Sequence, residues 1–264
     1  MRSKGDVRTK RRRSFFYTAE ACLAMAVRLV PRRYRFGLAV LIAGAAVPLF
    51  RLTNVFRAQL TTRVDGPHEI ALHFVLNALT KNGTRFDPEV TVQGYEKFEQ
   101  AYAAGRGVMV IGPHAALTLL LVRLFYDEGL DPVVISPDPR MRVAGTTMTV
   151  RTLQPSQAFL VKTRSRLRRG EVVCAMPDRA EHHERRTVEF PTSNGNVIVA
   201  PALLQVAARC KAEMVFAEVH IEGRRLVGSI AAPLPASAGK GAALIEDFMD
   251  FVRRHIEARF ANQS

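Results

Sequence analysis

Cysteine is scarce in this sequence, and its three occurrences, Cys22, Cys174 and Cys210, lie far apart. Their spacing matches no zinc-ligand pattern, and an odd number leaves one thiol over from any pairing, so the sequence indicates neither a zinc site nor a disulfide framework. The pattern is typical of reduced, buried thiols in a protein that faces the cytosol. We expect Cys174, which lies within an apolar run, to be a small core residue rather than a nucleophile.

Signatures of phosphate-binding loops are also absent. The sequence has no G-x-x-x-x-G-K-[ST] segment and no G-x-G-x-x-G segment after a predicted strand. Nucleotide-dependent chemistry is therefore not expected, and the sequence predicts no cofactor. A metal site is not expected either, because the adjacent His182 and His183, close to Asp178, point in different directions. No cysteine or third histidine lies at a suitable spacing from them.

The apolar segment at residues 36–50 is too short to cross a bilayer. It has fifteen residues without a charge and is followed by Arg51. As a helix it spans about 22 Å, whereas the hydrocarbon core is roughly 30 Å thick, so we expect it to enter one leaflet. A cleaved signal peptide has the same order of basic and apolar regions. However, the basic region here is unusually long, and no small-residue cleavage site is evident before Arg51.

Acids are few near the N-terminus, and the basic charge of the chain is concentrated there. The net charge is +14, and residues 1–35 carry +9 of it, from eleven lysines and arginines against Asp6 and Glu20. Such a flank favours the cytoplasmic face and anionic lipid, so we interpret the arm and the apolar segment as a two-part membrane anchor. A disordered, solvated tail is the alternative for residues 1–13. Nucleic acid is not an expected partner, because no helix-turn-helix, zinc-finger or RNP signature is present.

Strand and helix patterns alternate along the rest of the chain, which predicts an α/β domain with a mostly parallel sheet flanked by helices. Membrane-associated helices are expected to precede this domain. The predicted organisation is a basic arm at residues 1–13, a membrane-associating helical region at residues 14–65 and an α/β domain at residues 66–264. Strands are predicted near residues 90–92, 108–111, 132–135, 171–176, 186–190, 214–221 and 226–231, the last two as a hairpin. Helices are predicted near residues 14–30, 52–64, 67–79, 95–104, 116–125, 154–168, 199–209 and 244–256.

One histidine follows a short apolar strand. Residues 108–111 form an apolar run bounded by Gly107 and Gly112, typical of a buried parallel strand, and residues 116–125 predict an apolar helix. His114 therefore lies at the carboxyl end of a strand, where open α/β sheets bind ligands. This position makes it a candidate base, and a capping or structural role is the alternative.

Two blocks of sequence carry a resemblance to a known family. The first is AAGRGV at residues 103–108, followed by GPH at residues 112–114. The second is GEVVCAMPDR at residues 170–179, followed by VEF and then APALL. In order and spacing these blocks resemble the bacterial lysophospholipid acyltransferase superfamily, in particular its lipid A late-acyltransferase branch. The resemblance covers roughly residues 30–235.

The sequence departs from that family at two points. The family has an acid five residues after its histidine, where this chain has Leu119, and it has a tryptophan-rich tail, whereas this chain has no tryptophan. The resemblance implies that the acid orients the imidazole, which leucine cannot do. One alternative is that another acid orients His114, the candidates being Asp178, Glu181 and Glu184. A second is that the Thr118 hydroxyl does so in part, and a third is a catalytically inactive, lipid-binding relative.

The resemblance implies transfer of a fatty acyl chain from a thioester donor, acyl carrier protein or acyl-CoA, to a hydroxyl of a membrane lipid. His114 is assigned as the catalytic base and Asp178 as the acid beside it. A glycerolipid acyltransferase-like fold is implied, with a peripheral or monotopic position on the cytoplasmic face of the bacterial inner membrane.

A second basic segment, residues 139–170, contains no acid and carries a charge of +8 over 32 residues. One interpretation is a surface for an anion: the phosphates of an acceptor lipid, the anionic bilayer or an acidic acyl carrier protein. The other is a solvated helix whose arginines cover neighbouring apolar groups. The residues predicted to bind substrate are Arg140, Arg164, Arg168 and Arg179.

Overall fold

The computed structural model of the protein describes residues 20–51, 66–86, 88, 90–113, 115, 117–143, 146, 148–156, 158–178, 187–192, 195–223, 225–233 and 241–261. These residues include eight helices and nine strands. The helices are α1 (residues 20–29), α2 (Arg32–Arg51), α3 (Pro67–Lys81), α4 (Tyr95–Ala103), α5 (Leu119–Asp127), α6 (Phe159–Arg168), α7 (Ala202–Cys210) and α8 (Gly241–Ala261). The strands are β1 (Val90–Gln93), β2 (Val108–Ile111), β3 (Val133–Ile135), β4 (Arg151–Leu153), β5 (Val172–Ala175), β6 (Val188–Thr192), β7 (Gly195–Val199), β8 (Glu213–Glu222) and β9 (Arg225–Ala231).

Seven of the strands form one sheet in the order β1-β9-β8-β2-β5-β3-β4. Every neighbouring pair is parallel except β8 and β9, which form an antiparallel hairpin. β6 and β7 pair separately as an antiparallel ribbon. The predicted fold class, an α/β protein with a mostly parallel sheet flanked by helices, is confirmed.

The central strands β2 and β5 are buried at every residue. A parallel strand with helices on both sides buries both of its faces, which explains why these strands are continuous apolar runs rather than alternating ones. On one face of the sheet, Phe98 of α4 stacks on Phe125 of α5, with 4.5 Å between ring centroids. On the other face, Phe216 of β8 packs against Phe248 of α8, at 5.6 Å. The sheet is therefore the middle layer of three.

The N-terminal helices belong to the same hydrophobic core as the sheet. Val27 of α1 and Phe36, Ala39 and Ala43 of α2 are buried in the cluster that also contains strand residues. The segment that the sequence predicts to enter a leaflet is thus a helix with one face packed on the protein itself. Within the described part of the chain, each helix is too short or too polar to span a bilayer.

The structure contains two strands, β4 and β7, that the sequence pattern does not predict. β4 pairs with β3 directly before the segment predicted as a helix from residue 154, and the helix begins only at Phe159. β7 pairs with β6 where the sequence shows no clear strand, and the following helix begins at Ala202 instead of residue 199. Short strands carry too little periodicity to be recognised, and their pairing partners decide their conformation. The helix predicted at residues 52–64 lies outside the described residues.

Candidate site at the carboxyl edge of the sheet

The strands β8, β2, β5, β3 and β4 run in one direction, so their carboxyl ends lie at one edge of the sheet, the carboxyl edge. The chain that leaves β2 there passes through Gly112, the chain after β5 reaches Asp178, and the chain after β3 reaches Arg140. The structure thus places Asp178 and Arg140 at the same edge of the sheet as Gly112, which precedes the predicted base by two residues in the sequence. His114 and Arg179 themselves lie outside the described residues.

Gly112 is held tightly at this edge. Its amide donates a hydrogen bond to the Ala175 carbonyl at 3.0 Å, which extends the pairing of β2 with β5. A Cβ at this position would lie 2.5 Å from the Ala217 carbonyl oxygen and 2.8 Å from Thr118 Cγ2. Real Cβ atoms do not approach backbone so closely, so only glycine fits at this position.

A small cleft lies beside Gly112, between α5 and the sheet, and its interior measures about 20 Å³, which is room for one or two water molecules. Its walls are predominantly apolar. The main wall residues are Val110, Leu121, Val122, Phe125, Cys174 and Ala217. The cleft is much smaller than a usual small-molecule site, but it lies at the edge where parallel sheets bind ligands.

The Cys174 thiol in the wall of the cleft is not a nucleophile. Burial raises the pKa of the thiol to about 12, so the thiol stays protonated. The prediction that Cys174 is a core residue is confirmed. Cys22, by contrast, is exposed, so the prediction of buried thiols is wrong for that residue. It lies on α1, where much of the helix surface faces solvent.

Thr118 and Leu119 also line the cleft, at the start of α5. The Thr118 side chain is buried, and its hydroxyl oxygen has no hydrogen-bond partner among the described residues. Leu119 is half-buried and packs against the core, where the family that the sequence resembles has an acid. The described part of the cleft therefore has one unpaired polar group in an apolar surface.

Arg140 lies in a turn that its neighbours hold in place. The Asp138 amide donates to Ser136 Oγ at 3.1 Å, and the Arg140 amide donates to Asp138 Oδ1 at 2.9 Å. Arg140 is exposed. This turn presents a positive charge at the same edge as Asp178.

Arg164 and Arg168 are exposed on α6, which runs away from the carboxyl edge. The end of α6 packs on the start of β2, because a Cβ at Gly107 would overlap the Leu167 carbonyl. Arg168 therefore lies near the opposite, amino edge of the sheet. The structure does not bring it together with Asp178 and Arg140, although all three are predicted site residues.

Several arginines of the basic segment are paired at the amino edge. Glu171 accepts hydrogen bonds from Arg166 at 2.6 Å and from Arg169 at 2.8 Å, and Arg151 pairs with both Asp131 and Glu171. Burial by itself raises the pKa of the Glu171 carboxyl, but the hydrogen bonds and charges of Arg166 and Arg169 outweigh burial and hold the pKa below its usual value. Three of the eight basic residues in this segment are thus paired with two acids.

Sequence reasoning did not identify a titratable cluster on β8. His220 Nδ1 lies 3.1 Å from Glu218 Oε1, and Nε2 lies 3.2 Å from Glu222 Oε1. Glu218 is fully buried, His220 is mostly buried and Glu222 is exposed. The signal in the sequence is E-x-H-x-E within a strand, because alternate residues share one face.

Among the described residues, histidine, cysteine, aspartate and glutamate form no group of three that could hold a metal ion. Comparison of the chain with models of known protein families and with curated proteins finds no match.

Proposed function

We propose that this protein is an acyltransferase, which moves a fatty acyl chain from a thioester donor to a hydroxyl group of a membrane lipid. The observation that carries the proposal is the apolar cleft at the carboxyl edge, beside Gly112 and therefore two residues before His114. Its apolar walls agree with contact to a hydrocarbon chain, because apolar surface gains about 25 cal/mol for each Å² that leaves water. The cleft has room for only one or two water molecules, so an acyl chain enters only when the cleft widens. The proposed fold type is accordingly that of the glycerolipid acyltransferases, in the lipid A late-acyltransferase branch.

His114 is the proposed base. Its imidazole takes the proton of the lipid hydroxyl while the oxygen attacks the thioester carbonyl and a C–O bond forms. Collapse of the tetrahedral intermediate then breaks the C–S bond, and the imidazolium returns the proton to the departing sulfur. No covalent acyl-enzyme is formed, and the proton that leaves the alcohol ends on the thiol.

Asp178 is the proposed acid that orients His114. It follows β5, which pairs with β2, so the two chains reach the carboxyl edge side by side. Glu181 and Glu184, the other acids considered, lie outside the described residues. The effect of such an acid is large, since replacing the orienting aspartate of a serine protease lowers kcat about 10⁴-fold.

The N-terminal helices are proposed to attach the protein to the cytoplasmic face of the bacterial inner membrane. Met25 and Leu29 of α1 are 67% and 85% exposed, and Tyr34 and Leu41 of α2 are exposed as well. Exposed arginines accompany them, namely Arg28, Arg32 and Arg33. Apolar side chains beside basic ones suit an anionic bilayer surface, into which the apolar groups insert while the arginines meet the headgroups.

This attachment is testable at single side chains. Deleting α1 and α2 would remove core residues such as Phe36, so surface substitutions are more informative. Met25→Ser together with Leu29→Ser is expected to lower the fraction of protein that floats with anionic vesicles. Val161→Ser is the matched control, because Val161 is 68% exposed but lies on α6. Unchanged flotation of the double variant would contradict the proposed attachment.

The donor is proposed to be acyl carrier protein or acyl-CoA. Lys162, Arg164 and Arg168 are exposed on α6, and none of them pairs with an acid in the part of the chain that the structure describes. Such a helix would attract an acidic carrier protein. Arg140 lies at the carboxyl edge and is the better placed residue for a phosphate group of the donor or the acceptor.

The main test is turnover with purified protein, a labelled fatty acyl thioester and total bacterial lipid. We expect a labelled lipid from the unaltered protein and a rate at least about 100-fold lower from His114→Ala, the usual range for loss of a general base. His73→Gln is the control, because His73 bonds Asn77 within α3 and does not line the cleft. Full activity of His114→Ala would refute the assignment of the base.

A catalytically inactive lipid-binding protein is the second candidate, and Leu119 at the position of the family's acid is the observation that favours it. This candidate predicts that lipid binds to the protein but that no labelled product forms with either thioester donor. The same incubation therefore separates the two functions.

A further inference from the structure

Two neighbouring helices, α6 and α7, carry a basic surface. Both lie on the same face of the sheet, because Leu167 of α6 and Leu204 of α7 belong to one buried cluster. Neither helix contains an aspartate or a glutamate. Five exposed cations on the two helices and directly after α7 have no acid partner among the described residues: Lys162, Arg164, Arg168, Arg209 and Lys211. These five residues, together with the exposed Val161, are called the α6–α7 face.

Helix stability accounts for only some of these cations. Arg168, Arg209 and Lys211 lie at or just beyond the C-terminal ends of their helices, where backbone carbonyls favour positive charge. Lys162 and Arg164 are the fourth and sixth of the ten residues in α6, so the end of the helix does not account for them. Arg164 and Arg168 are also four residues apart, a spacing at which like charges repel each other. The cluster therefore suits an anionic partner better than it suits the helix itself.

An exposed apolar residue lies among these charges. Val161 is 68% exposed, and Arg164, Ser165 and Arg168 follow it at three, four and seven residues, the spacing of one helix face. Protein interfaces combine apolar residues at the centre with polar residues at the rim. A nucleic acid would pair with the cations through its phosphates, but it would gain little from the valine. The mixture of residues therefore favours an acidic protein as the partner.

The position of the α6–α7 face separates it from the proposed membrane contact. Val27 of α1 shares a buried cluster with Val110 of β2. Leu167 of α6 shares the other buried cluster with Ile111, the next residue of the same strand. Because successive strand residues point to opposite faces of a sheet, α1 and α6 lie on opposite sides of it. A protein attached to a bilayer through α1 and α2 therefore presents the α6–α7 face to a soluble partner.

We propose that the α6–α7 face is the docking surface for an acidic carrier protein that delivers the acyl thioester. This inference rests on the proposed acyltransferase function, and it selects the carrier protein over acyl-CoA as the donor. Val161 contacts apolar side chains of the carrier, and the five cations pair with its acids. The helix α6 begins after β4, at the carboxyl edge, and its ten residues span about 15 Å. A carrier docked on α6 is therefore near the edge that has the candidate site.

The test is the affinity of the purified protein for acyl carrier protein, measured by calorimetry at about 0.15 M salt, where exposed charges more than about 8 Å apart are screened from each other. We expect Lys162→Glu together with Arg164→Glu to raise the Kd at least about tenfold, because the new acids repel those of the carrier. Val161→Ser should raise the Kd about fivefold, because less apolar surface is buried in the complex.

Lys81→Glu together with Arg85→Glu is the matched control. It makes the same change in net charge, at exposed residues at and after the end of α3. This helix packs through Leu79 into the buried cluster that contains Val27, on the other side of the sheet. The control should therefore bind the carrier like the unaltered protein. All of the charge substitutions are at exposed positions, so we expect each variant to fold, and thermal unfolding verifies this.

The failures of the two proposals are distinguishable. If Lys162→Glu with Arg164→Glu binds the carrier as tightly as the unaltered protein, or if the control loses as much affinity, the α6–α7 face is refuted as the docking surface. If the unaltered protein does not bind the carrier but forms labelled lipid from acyl-CoA, the docking inference fails while the proposed function stands. If the carrier binds as expected but neither thioester gives labelled lipid, the docking surface stands and acyl transfer fails. Tighter binding of a double-stranded DNA fragment through the same residues would refute the carrier as the partner.

Discussion

The two edges of the central sheet are built in opposite ways. At the amino edge, acids at the strand ends are paired with arginines: Glu213 with Arg106, Asp131 with Arg151, and Glu171 with Arg166 and Arg169. At the carboxyl edge, Gly112 has no side chain, Thr118 has an unpaired hydroxyl and the cleft walls are apolar. The amino edge thus pairs its own charges, whereas the described part of the carboxyl edge has an apolar lining.

The largest expected effect concerns the chemistry at the carboxyl edge. Asp178→Asn should lower turnover by about 100-fold or more, because the amide no longer stabilises a protonated His114. Asp138→Asn is the control, since the asparagine carbonyl can still accept the hydrogen bond from the Arg140 amide at the same edge. Acyl-transfer rates of both variants at saturating donor measure the difference. Equal rates would remove Asp178 from the mechanism and leave Glu181 and Glu184 to be tested.

Filling Gly112 should disturb the fold of that edge. Gly112→Ala places a methyl group against the Ala217 carbonyl, and we expect it to lower the free energy of unfolding by about 3 kcal/mol, at the upper end for overpacking. Gly37→Ala is the control, because no atom lies within 4 Å of its Cβ and a helix interior gains about 0.5–1 kcal/mol from alanine. Urea denaturation measures both. A neutral Gly112→Ala would show that the close approach of the strands is not required.

The cluster on β8 sharpens the comparison, because it places a buried carboxyl group, that of Glu218, beyond the end of β2. His220→Ala should lower the free energy of unfolding by about 2 kcal/mol, since it removes one hydrogen bond of the buried Glu218 carboxyl group. Glu222→Gln should change it by less than about 1 kcal/mol, because Glu222 is exposed. Chemical denaturation of the two variants gives the comparison. A small effect of His220→Ala would mean that the imidazole does not stabilise Glu218.

The smallest effect is expected at the amino edge. Because the pKa of Glu171 is lowered in the folded protein, its ion pairs stabilise the fold above the unfolded pKa, and this contribution is lost as the pH falls through the folded pKa. Glu171→Gln should therefore reduce stability by about 1 kcal/mol at neutral pH, and the difference from the unaltered protein should vanish in acid. Denaturation as a function of pH measures it. A difference that persists in acid would indicate a packing effect instead.

Apolar patterning predicts much of this fold correctly. The runs at β2 and β5 contain enough consecutive apolar residues to identify buried parallel strands, and the hairpin of β8 and β9 follows from two β-rich runs around a glycine turn. The position of Gly112 at a strand end, and with it the edge that carries the candidate site, also follows from the local pattern.

Charge patterning predicts less, because it groups residues by distance along the chain. Arg140 and Arg168 belong to one acid-free segment of the sequence. In the structure Arg140 follows β3 at the carboxyl edge, whereas Arg168 ends α6 near the amino edge. In the sequence, Glu218 and His220 are polar residues of a predicted hairpin strand. Their burial is decided by tertiary packing against β8, which the sequence pattern does not show. The apolar segment of α2 reads as a membrane contact, whereas one of its faces packs on the core.

Periodicity in the chain is sufficient to specify the helices and the buried strands such as β2 and β5, since each residue's burial in a regular element repeats with the geometry of that element, but it does not specify the short strand β4 or the strand β7. The cleft, the unpaired Thr118 hydroxyl and the pairing of the basic segment's arginines arise only when distant segments meet. The stability of these features depends on desolvation and on contacts between residues that are distant in the sequence. Gly112 against Ala217 and Arg151 against Glu171 are examples, and a local sequence pattern does not contain such contacts.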